Sequence, residues 1–282
     1  MPDSGGTVTA EPLVARLRRF PRFGLLLAAW ILGAATALNA VVVIVPGFGY
    51  DAHAYWLAGR AAHPYGAAPG TFNAYLYSPV FAQLIRPLAL LPWSAFVALW
   101  MLAEATVFVW LTATLPLRWR IPVLLACVPE VLMGNVYGYL AVAAVLGARR
   151  PIWWALPLLT KITPGLLGLL WLAAQRRWRD LVRAIAATVV IAAISCAAEP
   201  QLWQEWLRFL AHSAGEARPW MTMRTAAAAV LVVFAARRRW PWLLPAAMLL
   251  GTPMLGLSTK NLAILAAVPR LTRHPPRTIP TA

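Results

Sequence analysis

Residues 24–45 read GLLLAAWILGAATALNAVVVIV, an unbroken apolar run preceded by Arg16, Arg18, Arg19 and Arg22. At 1.5 Å per helical residue, such a run covers a hydrocarbon core of roughly 30 Å. A secretory signal has a shorter apolar region that ends at a small-residue cleavage site. Here Val41-Val42-Val43-Ile44-Val45 carries the run past the small residues at 35–40. The segment is predicted to be a retained first membrane helix, entered from the cytoplasm. The rest of the chain agrees. Of 282 residues, 61% are hydrophobic and 12% charged, with a mean hydropathy of +0.67, whereas soluble domains carry about 25% charged residues. Too little polar material exists to coat a water-soluble core. A cytosolic enzyme, a secreted disulfide scaffold and a disordered chain are all excluded, and the predicted fold is an all-α polytopic membrane protein.

The net charge of +16 suggests nucleic acid until its distribution is considered. Basic residues punctuate the apolar segments at 16–22, 118–120, 149–150, 176–183, 237–239 and 270–277, and 18 of the 25 fall there. A nucleic-acid surface would gather them on one soluble face, while cytoplasmic loops of a membrane protein collect them in this way. Placing every cluster inside leaves out-and-back pairs at 24–45 and 94–115, 121–131 and 135–148, 151–160 and 164–175, 181–198 and 222–236, and 241–255 and 258–269. That gives ten segments, or eight crossings and a re-entrant pair. Several are too short to span alone and are expected to be broken helices. Residues 1–23 and 274–282 form cytoplasmic tails around one transmembrane domain, 24–273. Residues 46–92 make a long first outer loop. Residues 199–221 carry Leu202, Trp203, Trp206, Leu207 and Leu210 on one helical face, with Gln204, Glu205, Arg208 and His212 opposite. That pattern predicts an outer helix lying in the interface plane.

Nine acids and two lysines are present, so each one inside this apolar frame is conspicuous. Asp51 is the sole acid between Glu11 and Glu104, just beyond the first helix in Gly49-Tyr50-Asp51-Ala52-His53-Ala54-Tyr55-Trp56. It reads equally well as a helix N-cap and as a catalytic carboxylate, and the two roles are compatible. Lys161 and Lys260 fall in apolar surroundings, where a charge is costly and marks a cavity, a partner or a snorkelling side chain. Glu130 and Asn135 flank a predicted hairpin at the level of Lys161, so Asp51, Glu130, Asn135 and Lys161 are expected to share one cavity. Glu104, inside the second helix, is expected to be buried. No HExxH, P-loop, GxGxxG or GxSxG motif occurs.

Asp51, Tyr55-Trp56, His63-Pro64-Tyr65, Tyr77-Ser78-Pro79 and Pro87-Leu88-Ala89-Leu90-Leu91-Pro92, followed by a helix containing Trp100, together resemble the polyprenol-phosphate-sugar-dependent glycosyltransferases of the GT-C superfamily. The nearest likeness is to glycosyltransferase family 87, the bacterial membrane mannosyl- and arabinosyltransferases. The likeness is greatest over 46–112, fair over 130–180 through Gly134-Asn135, Lys161, Pro164 and Arg176-Arg177-Trp178, and weak beyond 200. It implies a GT-C-like bundle of about eight to ten membrane helices whose first outer loop carries the catalytic acid. It also implies inverting transfer of a sugar, mannose being favoured, from a polyprenyl-phosphate donor to a hydroxyl of a lipid- or glycan-linked acceptor. The site would face the outer side of the plasma membrane. Many superfamily members carry a second acid in this loop, often as DxD, and some use a metal. Asp51-Ala52-His53 has one acid, so a metal-independent reaction without cofactor is expected.

In that reading Asp51 is the general base and Lys161 receives the departing phosphate, assisted by Arg86 or Lys260. His53, Tyr55, Tyr77, Glu130 and Asn135 complete the substrate-binding set. Nucleic acid is not an expected partner; donor, acceptor and membrane lipids are. The alternative class is a transporter or flippase of a lipid-linked sugar, which broken helices and intramembrane charges also suit.

Overall fold

The computed structural model describes residues 13–43, 45–214, 219–252 and 259–273. Among them are thirteen α-helices, four 3₁₀ segments and no strand. In chain order the helices are α1 (Leu13–Val43), α2 (Tyr50–Arg60), α3 (Pro79–Ala89), α4 (Trp93–Thr112), α5 (Leu117–Met133), α6 (Tyr137–Gly147) and α7 (Ala155–Thr160). There follow α8 (Ile162–Ala174), α9 (Trp178–Ala198), α10 (Pro200–Ala214), α11 (Pro219–Arg238), α12 (Leu244–Leu250) and α13 (Val268–Arg273). Among the described residues each of the ten expected segments falls on α-helix, 3₁₀ helix or both. The first extends back to Leu13, because its arginines and leucines are good helix formers and continue the apolar run. The segment expected over 258–269 is 3₁₀ over Thr259–Ala267 before α13 begins.

Four helices are long and apolar enough to cross a membrane: Phe23–Val43, α4, α9 and Trp220–Arg238. Their packing shows what surrounds them. Only 11% of the most apolar window of α9 is buried inside the protein, against 39% for α4. An apolar helix left that open is untenable in water and suited to lipid. Shorter apolar pieces, α6, α7, α8 and α12 with its preceding 3₁₀ turn, pack between the long helices. Threonines at helix ends are satisfied locally: the hydroxyls of Thr112 (α4), Thr160 (α7) and Thr252, just past α12, each donate to the carbonyl four residues back. In hydrocarbon that local bond replaces water. The chain is an all-α polytopic membrane protein.

Two cores result. The larger, built on Phe108, Leu140, Trp154, Trp171, Val232 and Met248, lies within the bundle. The smaller is aromatic, with Tyr55, Tyr75, Tyr77, Phe81, Phe96 and Trp100 packed beneath α2 and α3. Val136 belongs to the aromatic core and Tyr137, its neighbour in sequence, to the bundle. The start of α6 is therefore where the two cores join.

Two of the arginine clusters meet at the C-terminal end of α4. Arg120 donates to the carbonyl of Val109, and Arg270 donates to that of Trp110 while stacking on its ring. Cations at the last carbonyls of α4 suit the helix dipole. The other end of α4 begins at Trp93, against Gly49 and His53. A 20-residue helix separates its two ends by about 30 Å, one hydrocarbon thickness.

Helix α10 takes the place of the expected interfacial helix. Leu202 and Trp206 are buried, Leu207 is exposed, and Glu205 turns inward to bond His63. Arg86 of α3 forms a two-pronged pair with Glu199, the residue that closes α9, at 2.5 and 2.9 Å. The Arg86 hydrogen bonds hold the Glu199 carboxyl below its ordinary value of 4.5. A depressed folded-state value means that the pair stabilises the fold above pH 4.5 and loses that effect as acid protonates Glu199. Partial exposure limits its worth to about 1 kcal/mol. Glu199→Gln is therefore expected to lower the melting temperature by about 2–4 °C at pH 7 and to change it little at pH 3, as thermal scans at the two pH values will show.

Candidate active site

The turn before α2 is set by Gly49. Its backbone is left-handed (φ 73°), its N–H donates to the Leu132 carbonyl at 2.6 Å, and a β-carbon there would stand 2.9 Å from the Trp93 ring. Gly49 occupies the N-cap, so Asp51 does not; it sits within the first helical turn, where a negative charge is favoured by the dipole. Two residues along a helix diverge, while four return to one face. Tyr55 therefore shares the face of Asp51, and His53 points elsewhere. His53 Nδ1 pairs with Asn73 Oδ1 at 2.7 Å, and the ring stacks on Phe72 and meets Trp93 edge-on.

A second left-handed glycine faces the first turn. Gly134 (φ 68°) ends α5, and a β-carbon on it would lie 2.5 Å from that of Ala52. Its carbonyl accepts the Trp100 indole N–H at 2.9 Å. This close approach carries Asn135 to Asp51: Asn135 Nδ2 donates to Asp51 Oδ2 at 2.8 Å. The amide orientation is fixed from its other side, since Oδ1 accepts the Val136 N–H at 2.7 Å and the Tyr77 hydroxyl at 3.5 Å. The Tyr55 and Tyr77 hydroxyls are 2.9 Å apart. Burial pushes Tyr77 up to about 12, against an opposing pull from Lys161, and lifts Tyr55 well above 10. Both phenols stay protonated and serve as donors.

Gly134→Ala is expected to cost about 1–3 kcal/mol, because the strained backbone adds to the contact with Ala52. It also withdraws Asn135 from Asp51. The check is a thermal scan beside an activity assay, with activity falling further than stability explains.

Lys161 occupies the break between α7 and α8, with extended backbone (φ −115°, ψ 93°). Its Nζ lies 3.9 Å from the centre of the Tyr137 ring and 5.8 Å from that of Tyr77. The Ser78 hydroxyl donates to the Leu159 carbonyl at 2.5 Å, which ties the Tyr77 loop to the end of α7. Glu130, fully buried, accepts the Tyr137 N–H at 2.6 Å and so fixes the start of α6. Glu104 is equally buried, and Asp51, Glu104 and Glu130 lie within electrostatic range of one another. Asp51, Asn135, Tyr55 and Tyr77 thus form one hydrogen-bonded chain, and Lys161 and Glu130 adjoin it through Tyr137.

Other expected members lie apart. Arg86 is engaged by Glu199 rather than by this chain, and the Lys260 side chain falls outside the described residues. Among the described residues no three His, Cys, Asp or Glu side chains gather as metal ligands. Two contributors lie outside the expected set. Tyr137 seats the Lys161 ammonium on its ring face, and only the fold brings residues 137 and 161 together. Arg224 lies within electrostatic range of Tyr137 and donates to the Leu250 and Thr252 carbonyls. Its signal is its isolation in an otherwise apolar helix.

What the arrangement offers is a fixed carboxylate, neutral hydroxyl donors and an ammonium around the junction of two cores. A carboxylate suits proton removal from a hydroxyl, and the ammonium suits charge developing on an anionic leaving group.

No curated protein and no solved structure matches the chain. The model of glycosyltransferase family 87 matches residues 75–280. The match runs through the residues beyond 200, where the likeness is weakest by inspection, and it begins after Asp51, which lies outside the matched residues. Since it spans well over half the chain and includes Tyr77, Glu130, Asn135 and Lys161, this protein belongs to glycosyltransferase family 87.

Proposed function

We propose that this glycosyltransferase moves a sugar, mannose being favoured, from a polyprenyl-phosphate donor to a hydroxyl of a lipid- or glycan-linked acceptor, with inversion at the anomeric carbon. The observation that carries the reading is the 2.8 Å bond from Asn135 to Asp51, beside a lysine seated in a helix break on Tyr137. Asn135 orients Asp51, and Asp51 removes the proton of the acceptor hydroxyl as that oxygen attacks the anomeric carbon. The carbon–phosphate oxygen bond breaks on the opposite face, and the electron pair leaves with the phosphate. Lys161 stabilises the growing negative charge there, while the Tyr55 and Tyr77 hydroxyls polarise the Asn135 amide and close the pocket wall.

The reaction is metal-independent in this reading, because Asp51 is the sole acid of its loop and adjoins an amide rather than a second exposed carboxylate. Asp51 and the arginine-rich loops lie toward opposite ends of α4. With the arginines inside, both termini are cytoplasmic and the site faces the outer side of the plasma membrane. Lipid-linked substrates reach it from the bilayer.

The experiment is incubation of the protein in lipid nanodiscs with labelled polyprenyl-phosphate mannose, arabinofuranose and glucose in the presence of membrane-lipid acceptors. Transfer from one of them into a product of inverted configuration is expected. Transfer only from nucleotide sugars, or with retained configuration, would overturn the reading.

A further inference from the structure

A cleft of about 650 Å³ opens between residues 63–69 and α10. It is separate from Asp51 yet tied to the hydrogen-bonded chain that holds it. Tyr65 lines the cleft, and its hydroxyl donates to the Tyr77 carbonyl at 3.0 Å; Tyr77 in turn bonds Asn135 and Tyr55. The volume is within the range of small-molecule sites, about 300–1,000 Å³.

Its lining is mixed in a way that suits carbohydrate. Residues 66–69, Gly-Ala-Ala-Pro, are small and leave the space open. Tyr65 and Phe209 stand side by side, ring centres 5.8 Å apart and 34° from parallel, and offer an apolar face of the kind on which the C–H face of a sugar ring rests. Around them lie Glu205, Arg208, His63 and His212. Glu205 is already answered by His63 at 2.6 Å. Arg208 makes no ion pair among the described residues, and its guanidinium is exposed at the cleft. The cleft therefore presents an aromatic platform with a permanent cation at its edge that no described acid pairs with. The polar face of α10 forms this wall.

We infer that the cleft binds the saccharide head group of the acceptor, with the sugar ring on Tyr65 and Phe209 and a negatively charged substituent, such as a phosphate ester, on Arg208. This rests on the glycosyltransferase reading above and adds the acceptor's chemistry to it. The hydrogen bond from Tyr65 to Tyr77 sets the cleft one side chain away from the Asp51 chain, so a bound oligosaccharide can extend its terminal hydroxyl toward the base.

The test uses the full chain in lipid nanodiscs and saturation-transfer NMR, with mannose, mannose 6-phosphate and mannose 6-phosphate on a dodecyl chain as probes. Ring protons of both free sugars are expected to receive saturation, with about tenfold tighter binding of the phosphate ester, the scale of a charge-assisted hydrogen bond. Arg208→Gln should abolish that preference and keep the mannose signal. Phe209→Ala and the cleft-filling Ala68→Trp should each remove both signals, and agreement between the two guards against a folding defect in either. Tighter binding of the dodecyl ester marks a lipid-borne head group, while equal binding marks a soluble one. Saturation unchanged in both Phe209→Ala and Ala68→Trp, or equal affinity for the two free sugars in the unmodified protein, would overturn the inference. Asp51→Asn separates the two readings. Abolished transfer with unaltered cleft binding supports both. Abolished transfer alongside cleft variants that bind like wild type sinks only the cleft.

Discussion

Replacing Asp51 by asparagine should lower the turnover number for sugar transfer by about 10²–10⁴-fold, the usual worth of a general base, while the KM for donor stays within a few-fold. The substitution removes charge and basicity and little else. An amide oxygen can still accept the bond now made from Asn135 Nδ2 to Asp51 Oδ2, so the first turn of α2 and its contact with Gly134 are preserved. The fold should therefore survive, and a melting temperature close to wild type is the control. Asp51→Glu keeps the charge but lengthens the side chain by one carbon at a place where Ala52 and Gly134 leave no slack. It should recover part of the rate and not all of it. Single-turnover kinetics isolate the chemical step; a wild-type rate in the asparagine variant would remove Asp51 from the mechanism.

Lys161→Gln should lower turnover by about 10²–10³-fold, the cost typical of losing one donor aimed at developing negative charge. It should also weaken inhibition by the released polyprenyl phosphate, since the same ammonium holds product and transition state. Lys161→Arg should restore product inhibition more fully than rate. A guanidinium keeps the charge, but its wider, flat head cannot occupy the point above Tyr137 where Nζ sits 3.9 Å from the ring centre. If inhibition by polyprenyl phosphate is unaltered in the glutamine variant, the phosphate lies elsewhere and Lys161 serves the fold.

The two effects divide along the chemistry. In the proposed mechanism Asp51 acts on the acceptor oxygen, so its loss should leave donor affinity intact, while Lys161 acts on the leaving group, so its loss should show in product affinity as well. Gly134→Ala disturbs both through geometry, because it moves Asn135 and with it the amide that bonds Asp51.

The sequence by itself determined the membrane bundle, the positions of its apolar segments and the rarity that made Asp51 and Lys161 conspicuous, but not the helices α2 and α3 within the outer loop. Lipid imposes a composition on every turn that faces it, and that demand is local, so residues 24–45 or 178–198 declare themselves without their neighbours. The tertiary structure decided which of the conspicuous residues meet. The left-handed turns at Gly49 and Gly134, each pressed against another segment, bring Asn135 to Asp51; a pair separated by 84 positions leaves no periodic trace. Likewise Arg86 looked like a phosphate ligand until Glu199, 113 residues away, was seen to hold it, and Tyr137 was indistinguishable from other interfacial aromatics until the break at Lys161 set an ammonium above its ring. Burial in lipid is written residue by residue, but a contact between distant side chains depends on how every intervening helix packs.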